Sequence, residues 1–168
     1  WDLQNFVIPL HGSKIGLSAS KIGFILGAFA LATFGIRLLM PLLTKYATEW
    51  QILISTLACA AACFFLFPFL ESYLFFILIA FALGLGLGAA QPNIMTLVHA
   101  TAPEGRVAEA LGLRLTIIHG SQVILPLIFG AFGTALGTSA IFWIVSALAA
   151  GGIVLAVKKK KHLSDRTI

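Results

Sequence analysis

Residues 50–70, WQILISTLACAAACFFLFPFL, and 73–90, YLFFILIAFALGLGLGAA, are two continuous apolar runs separated only by Glu71 and Ser72. Each is close to the ~20 residues that a helix needs to cross the hydrocarbon of a bilayer. The break admits only a tight antiparallel helical hairpin. Neither run alternates apolar with polar residues, as a transmembrane β-strand would. In lipid the backbone must be hydrogen-bonded within the segment, so both runs are read as helices.

Working outward, the same pattern recurs. Residues 1–10 make about half a span, and the polar stretch 11–20 is read as an external loop. An apolar helix is expected over 21–40, with Ser18 and Ser20 as candidate N-caps and Pro41 at its end. A cytoplasmic loop follows at 41–49, then the hairpin of spans 50–70 and 73–93. A second cytoplasmic loop at 94–109 leads to spans 110–132 and 139–157 and a basic tail, 158–168. The expectation is an all-α polytopic bundle of five full spans and a half. The chain opens at Trp1, without an initiator Met, on that half span, and so reads as a fragment of a longer protein.

Composition agrees: 60% of the 168 residues are hydrophobic and 10% charged, with a mean hydropathy of +1.03. A polar shell for a water-soluble domain cannot be made from this chain. The net charge of +5 comes from the tail, Lys158 to Lys161 with Arg166, and marks a membrane flank; no nucleic-acid partner is expected. Arg37, Lys45, Arg106, Arg114 and the tail fall on one side, Lys14 and Lys21 on the other, so the first side and the C terminus are assigned to the cytoplasm. Trp50 and Tyr73 sit at opposite ends of the hairpin, at headgroup level. Cys59 and Cys63 share a helical face with Ser55 and are read as small packing residues. No metal site and no cofactor are expected.

Polar groups inside spans mark helices that face protein or a cavity. The spans 50–70 and 139–157 have no ionisable group between their ends and are placed at the periphery. In 21–40, Gly23, Gly27 and Gly35 strip one face, and Arg37 closes the helix. In 73–93, Ala80, Gly84 and Gly88 form a similar stripe, followed by Gln91-Pro92-Asn93. There a proline frees a carbonyl beside two amides, which suits either a water-filled passage or repair of a kinked backbone. Span 110–132 is the most polar: Glu109, Gly112, Thr116, His119 and Gly120 share a face with Gln122 beside it, Arg114 and Ser121 lie opposite, and Pro126 follows. His119 is placed to take a proton, to meet a solute, or simply to bond a neighbouring helix. Arg106, Glu109 and Arg114 are read as a charge network, with local pairing of Arg106 and Glu109 as the alternative.

The chain resembles the C-terminal half of a major facilitator superfamily transporter, from the second half of helix seven to the tail. The resemblance rests on the aromatic end at 6–10, on GLSASKIGFILG at 16–27 followed by Arg37, on PEGRVAEALG at 103–112, and on Gly120, Pro126 and Gly130. One stretch departs from the family: where the loop between helices eight and nine often carries an acid and several basic residues, 41–50 keeps only Lys45.

The resemblance implies secondary active transport of a small solute by alternating access. The missing N-terminal half would be the structural partner. Helices seven and ten would line the cavity, eight and eleven would meet the other half, and nine and twelve would face lipid. The expected solute path comprises Gln91, Asn93, Thr116, His119 and Gln122, and the cytoplasmic gate Arg37, Lys45, Arg106, Glu109 and Arg114. Gradient coupling is expected because no phosphate-binding loop is present. The helix-eleven pattern resembles that of exporters and suggests efflux or general metabolite transport, and the setting would be a bacterial inner membrane. Competing readings are a membrane scaffold or sensor without transport, and a membrane-embedded enzyme. Scattered ionisable groups argue against the enzyme, and no catalytic residue is assigned.

Overall fold

The computed structural model describes residues 2–70, 72–136 and 138–164. Trp1, Glu71 and Arg166, which the sequence reading used, lie outside the described residues. The helices are α1 (Asp2–Lys14), α2 (Ala19–Tyr46), α3 (Glu49–Leu66), α4 (Tyr73–Thr101), α5 (Val107–Leu136) and α6 (Thr138–Ser164), with a 3-10 turn at Phe67–Phe69 after α3. Among the described residues there is no strand. Five helices, α2 to α6, are long and apolar enough to cross a membrane.

The helices overrun the apolar segments because lipid sets the length of a hydrophobic run, whereas capping sets the end of a helix. Helix α1 continues through His11 to Lys14, inside the stretch expected as loop. It stops at Gly16, whose φ of 77° allows Leu17 N–H to reach the Gly12 carbonyl at 2.9 Å and Gly16 N–H that of Ser13 at 3.2 Å. This is a glycine-terminated Schellman end. Pro41 does not end α2, which runs on to Tyr46. Pro92 and Pro126 likewise lie inside α4 and α5. Each removes one backbone donor, a loss that transmembrane helices tolerate. The 94–109 stretch is helical as far as Thr101, and the basic tail continues α6 through Ser164.

The link between α2 and α3 is therefore only Ala47 and Thr48. Thr48 Oγ1 accepts from Gln51 N–H at 3.4 Å, and Gln51 Oε1 accepts from Thr48 N–H at 2.9 Å. This reciprocal capping box satisfies two donors where the chain reverses. Replacing Thr48 with Ala is expected to lower stability by about 1 kcal/mol, read as a lower thermal midpoint in detergent.

Small residues decide the packing. Helices α2 and α4 run parallel: Phe29 and Ala32 lie over Gly84, and Thr33 and Ile36 over Gly88. Thr33 Oγ1 donates to the Gly84 carbonyl at 3.2 Å across the seam. Helix α3 is antiparallel to α4, with Cys59 against Gly86. It is also antiparallel to α6, where Ser146 Oγ donates to the Ala61 carbonyl at 2.8 Å. One end of the bundle is aromatic: Phe67 stacks on Phe142 with centroids 4.9 Å apart and meets Phe76 edge-on at 5.2 Å. At the same end Lys21 Nζ lies 5.6 Å from the centre of the Tyr73 ring.

Burial does not follow polarity as it does in water. Helix α3, without an ionisable group between its ends, is held between α4 and α6. The polar helix α5 has no buried residue in its apolar stretch.

Candidate substrate path and cytoplasmic gate

The parallel register of α2 and α4 brings Arg37 beside Gln91. The guanidinium Nη2 donates to Gln91 Oε1 at 2.8 Å. Thus a residue assigned to the gate and one assigned to the solute path form a single contact on an exposed surface. One turn further along α4, Met95 Sδ accepts from Arg114 Nη1 at 3.7 Å. Arg37 from α2 and Arg114 from α5 thus both donate to side chains on α4, one turn apart.

Asn93 behaves differently from its neighbour Gln91. It is 1% exposed and its Nδ2 donates to the Glu49 carbonyl at 2.8 Å, in the seam between α4 and the first turn of α3. The two amides flanking Pro92 point in different directions, one into a helix–helix contact and one onto the surface.

On α5, Thr116, His119 and Gln122 are exposed and make bonds within the helix. His119 Nδ1 lies 3.1 Å from Gln122 Oε1, and Thr116 Oγ1 donates to the Gly112 carbonyl at 3.0 Å. Arg106 Nε donates to Glu109 Oε2 at 2.9 Å, and Arg106 Nη2 contacts the same oxygen. Both side chains of this pair are 65% exposed, where such an ion pair contributes little. Lys45 stands exposed in the last turn of α2. The five gate candidates therefore divide into an Arg37–Gln91 contact, an Arg114–Met95 contact, a local Arg106–Glu109 pair, and Lys45.

Two surfaces of the chain are left open. A Cβ at Gly23, Gly27 or Gly35 on α2, or at Gly112 or Gly120 on α5, would meet nothing within 4 Å. The glycine stripe of α2 thus has no neighbour among the described residues, although the similar stripe of α4 is filled.

Sequence reasoning passed over two buried polar residues on α1. Gln4 is 1% exposed and His11 8% exposed, and the His11 ring lies 5.5 Å from that of Phe142 and 5.9 Å from that of Phe76. Their spacing of seven residues, two turns on one helical face, was the available clue. It was obscured by placing the loop at His11.

Among the described residues, six α-helices, of which five are long and apolar enough to span a membrane, define a polytopic α-helical integral membrane protein. The family model of the Major Facilitator Superfamily matches residues 1–167, and the chain belongs to that superfamily. Its class is therefore a transporter of the major facilitator type, the superfamily being one of transporters. No curated protein matches the chain.

Proposed function

We propose that this chain is the C-terminal half of a secondary transporter that moves a small solute by alternating access, driven by a solute or proton gradient. The observation that carries the reading is α5. It presents Thr116, His119 and Gln122 on an exposed surface, an arrangement that lipid penalises and that an aqueous path between two halves accommodates. The open glycine face of α2 provides a second surface on which the N-terminal half would pack closely. Gln91 and Arg37 lie at the solute path where it narrows toward the cytoplasm, with Arg114 beside them and Lys45, Arg106 and Glu109 at the rim. Asn93 supports the path from behind, through α3. The C terminus is cytoplasmic in this reading, the setting is a bacterial inner membrane, and the direction is export.

The test needs no knowledge of the solute. In the complete protein, single cysteines are placed at Thr116, His119 and Gln122 in a background lacking Cys59 and Cys63, and a charged, membrane-impermeant thiol reagent is applied from either side of sealed vesicles. Alternating access predicts modification from both sides at Gln122 or His119, and none at Leu127, whose side chain is 71% exposed but lies on a purely apolar stretch. A scaffold or sensor would show no reaction at the α5 positions from either side.

A further inference from the structure

The two thiols of the chain lie one turn apart on α3, with their sulfurs 4.0 Å apart. Cys63 is 6% exposed. Cys59 is half-buried and donates to the Ala82 carbonyl at 3.3 Å. It also closes the inner end of a groove of about 280 Å³ between α2, α3 and α4, which runs from Ala47 and Gln51 past Ser55 to Cys59 and Gly86. The remaining wall is mostly aliphatic, including Ile36, Leu43 and Leu85.

This geometry excludes one form of thiol chemistry and suits another. Cβ atoms four residues apart on a helix are about 5–6 Å apart, too far for the ~3.5–4.5 Å that a disulfide requires. A bridging atom with bonds of about 2.3 Å to each sulfur spans 4.0 Å at an angle of about 120°. Closing the sulfurs by about 0.5 Å brings that angle near 100°, suited to a pyramidal centre. A charged soft cation is opposed by the apolar walls at membrane depth. Among the described residues, moreover, no group of three His, Cys, Asp or Glu side chains is placed to hold a metal. A neutral, lipid-soluble reagent meets neither obstacle.

We propose that the groove and the Cys59–Cys63 pair form a capture site for lipophilic trivalent arsenicals of the class R–As=O. Two As–S bonds form and the As=O bond breaks. The two thiol protons leave on that oxygen as water, and arsenic remains trivalent. Capture converts two independent side chains into one ring that staples a turn of α3. The second bond forms within the molecule, so the ring holds by about 10²-fold or more over a single As–S bond.

The test uses phenylarsine oxide on the complete protein in detergent, read by mass spectrometry of its tryptic peptides. Lys45 and Arg106 flank a tryptic segment, 46–106, that contains both cysteines. One phenylarsenic group is expected on that segment. It should survive washing with excess monothiol and be released by 2,3-dimercaptopropanol. Cys59→Ser and Cys63→Ser should each lose the monothiol-resistant adduct, and Ala89→Phe, which fills the groove and leaves both thiols, should slow its formation. Circular dichroism and gel filtration identify variants that remain folded; Cys59→Ser, at the half-buried position, carries the test if Cys63→Ser does not fold. An adduct stripped by monothiol, or retained in Cys59→Ser, overturns the bridged site. An unchanged rate in folded Ala89→Phe overturns the groove as its route.

Discussion

Replacing Gly84 with Leu is expected to abolish the folded chain, and Gly84→Ala to cost about 2–3 kcal/mol, the upper part of the range for overpacking a tight core. A Cβ at Gly84 would stand 2.5 Å from the Phe29 carbonyl oxygen and 2.9 Å from the Ala32 Cβ. The first obstacle is backbone, which cannot rotate aside, so relief requires α2 and α4 to separate. Separation would also stretch the Thr33–Gly84 hydrogen bond and loosen Arg37 from Gln91, because the same register holds all three contacts. Alanine's helix propensity returns only about 1 kcal/mol of the loss. Gly27→Ala provides the contrast within this chain. Among the described residues no neighbour stands within 4 Å, and without an N-terminal half packed on this face the substitution should raise helix stability by about 0.5–1 kcal/mol. Thermal unfolding and the yield of monodisperse protein in detergent measure both. Equal behaviour of the two variants would mean that the α2–α4 contact is not as close as described.

That contrast also shows how far the sequence was legible. The number of spans could be read because the bilayer imposes a length and an apolar composition on every one of them. Helix ends were less legible, since they depend on single residues. Gly16 rather than His11 ends α1, Thr48 with Gln51 starts α3, and Pro41 interrupts hydrogen bonding without ending α2. The two glycine stripes look alike as sequence. Only the fold shows that, among the described residues, Gly84 and Gly88 have a neighbour while Gly23, Gly27 and Gly35 have none.

The site residues divide in the same way. Polarity within an apolar span singled out Arg37, Gln91, Asn93, Arg114, His119 and Gln122 one at a time. Local pairs are within reach of spacing: Arg106 with Glu109 is the alternative to the wider charge network, and the two do pair. The Arg37–Gln91 contact joins residues 54 apart in sequence. It depends on two helices that are not consecutive lying parallel, and helical periodicity contains no information about which helices are neighbours. The opposite fates of Gln91 and Asn93 were hidden for the same reason. Two positions apart on a helix is about 200° of rotation, so α2 receives one amide and α3 the other.

Asn93→Asp is expected to be the more damaging of two changes at that position, by several kcal/mol. The wild-type amide donates to the Glu49 carbonyl at 2.8 Å with only 1% of the residue exposed. Leucine, close in size, removes the donor but leaves the carbonyl free to keep its bond within α3, which limits the loss to about 1–2 kcal/mol. Aspartate places an oxygen where the NH2 group stood, so two acceptors face each other. It also leaves an ionised group buried without a partner, a defect that costs about 3–5 kcal/mol. At neutral pH the expected order of thermal midpoints is therefore wild type, then Asn93→Leu, then Asn93→Asp well below. The reverse order of the two variants would mean that water reaches position 93, because a hydrated site tolerates a carboxylate better than an aliphatic side chain. Asn93 would then belong to the wall of the solute path, with Gln91, rather than to the seam that supports it, and the passage along α4 would be wider at that level by the breadth of one side chain.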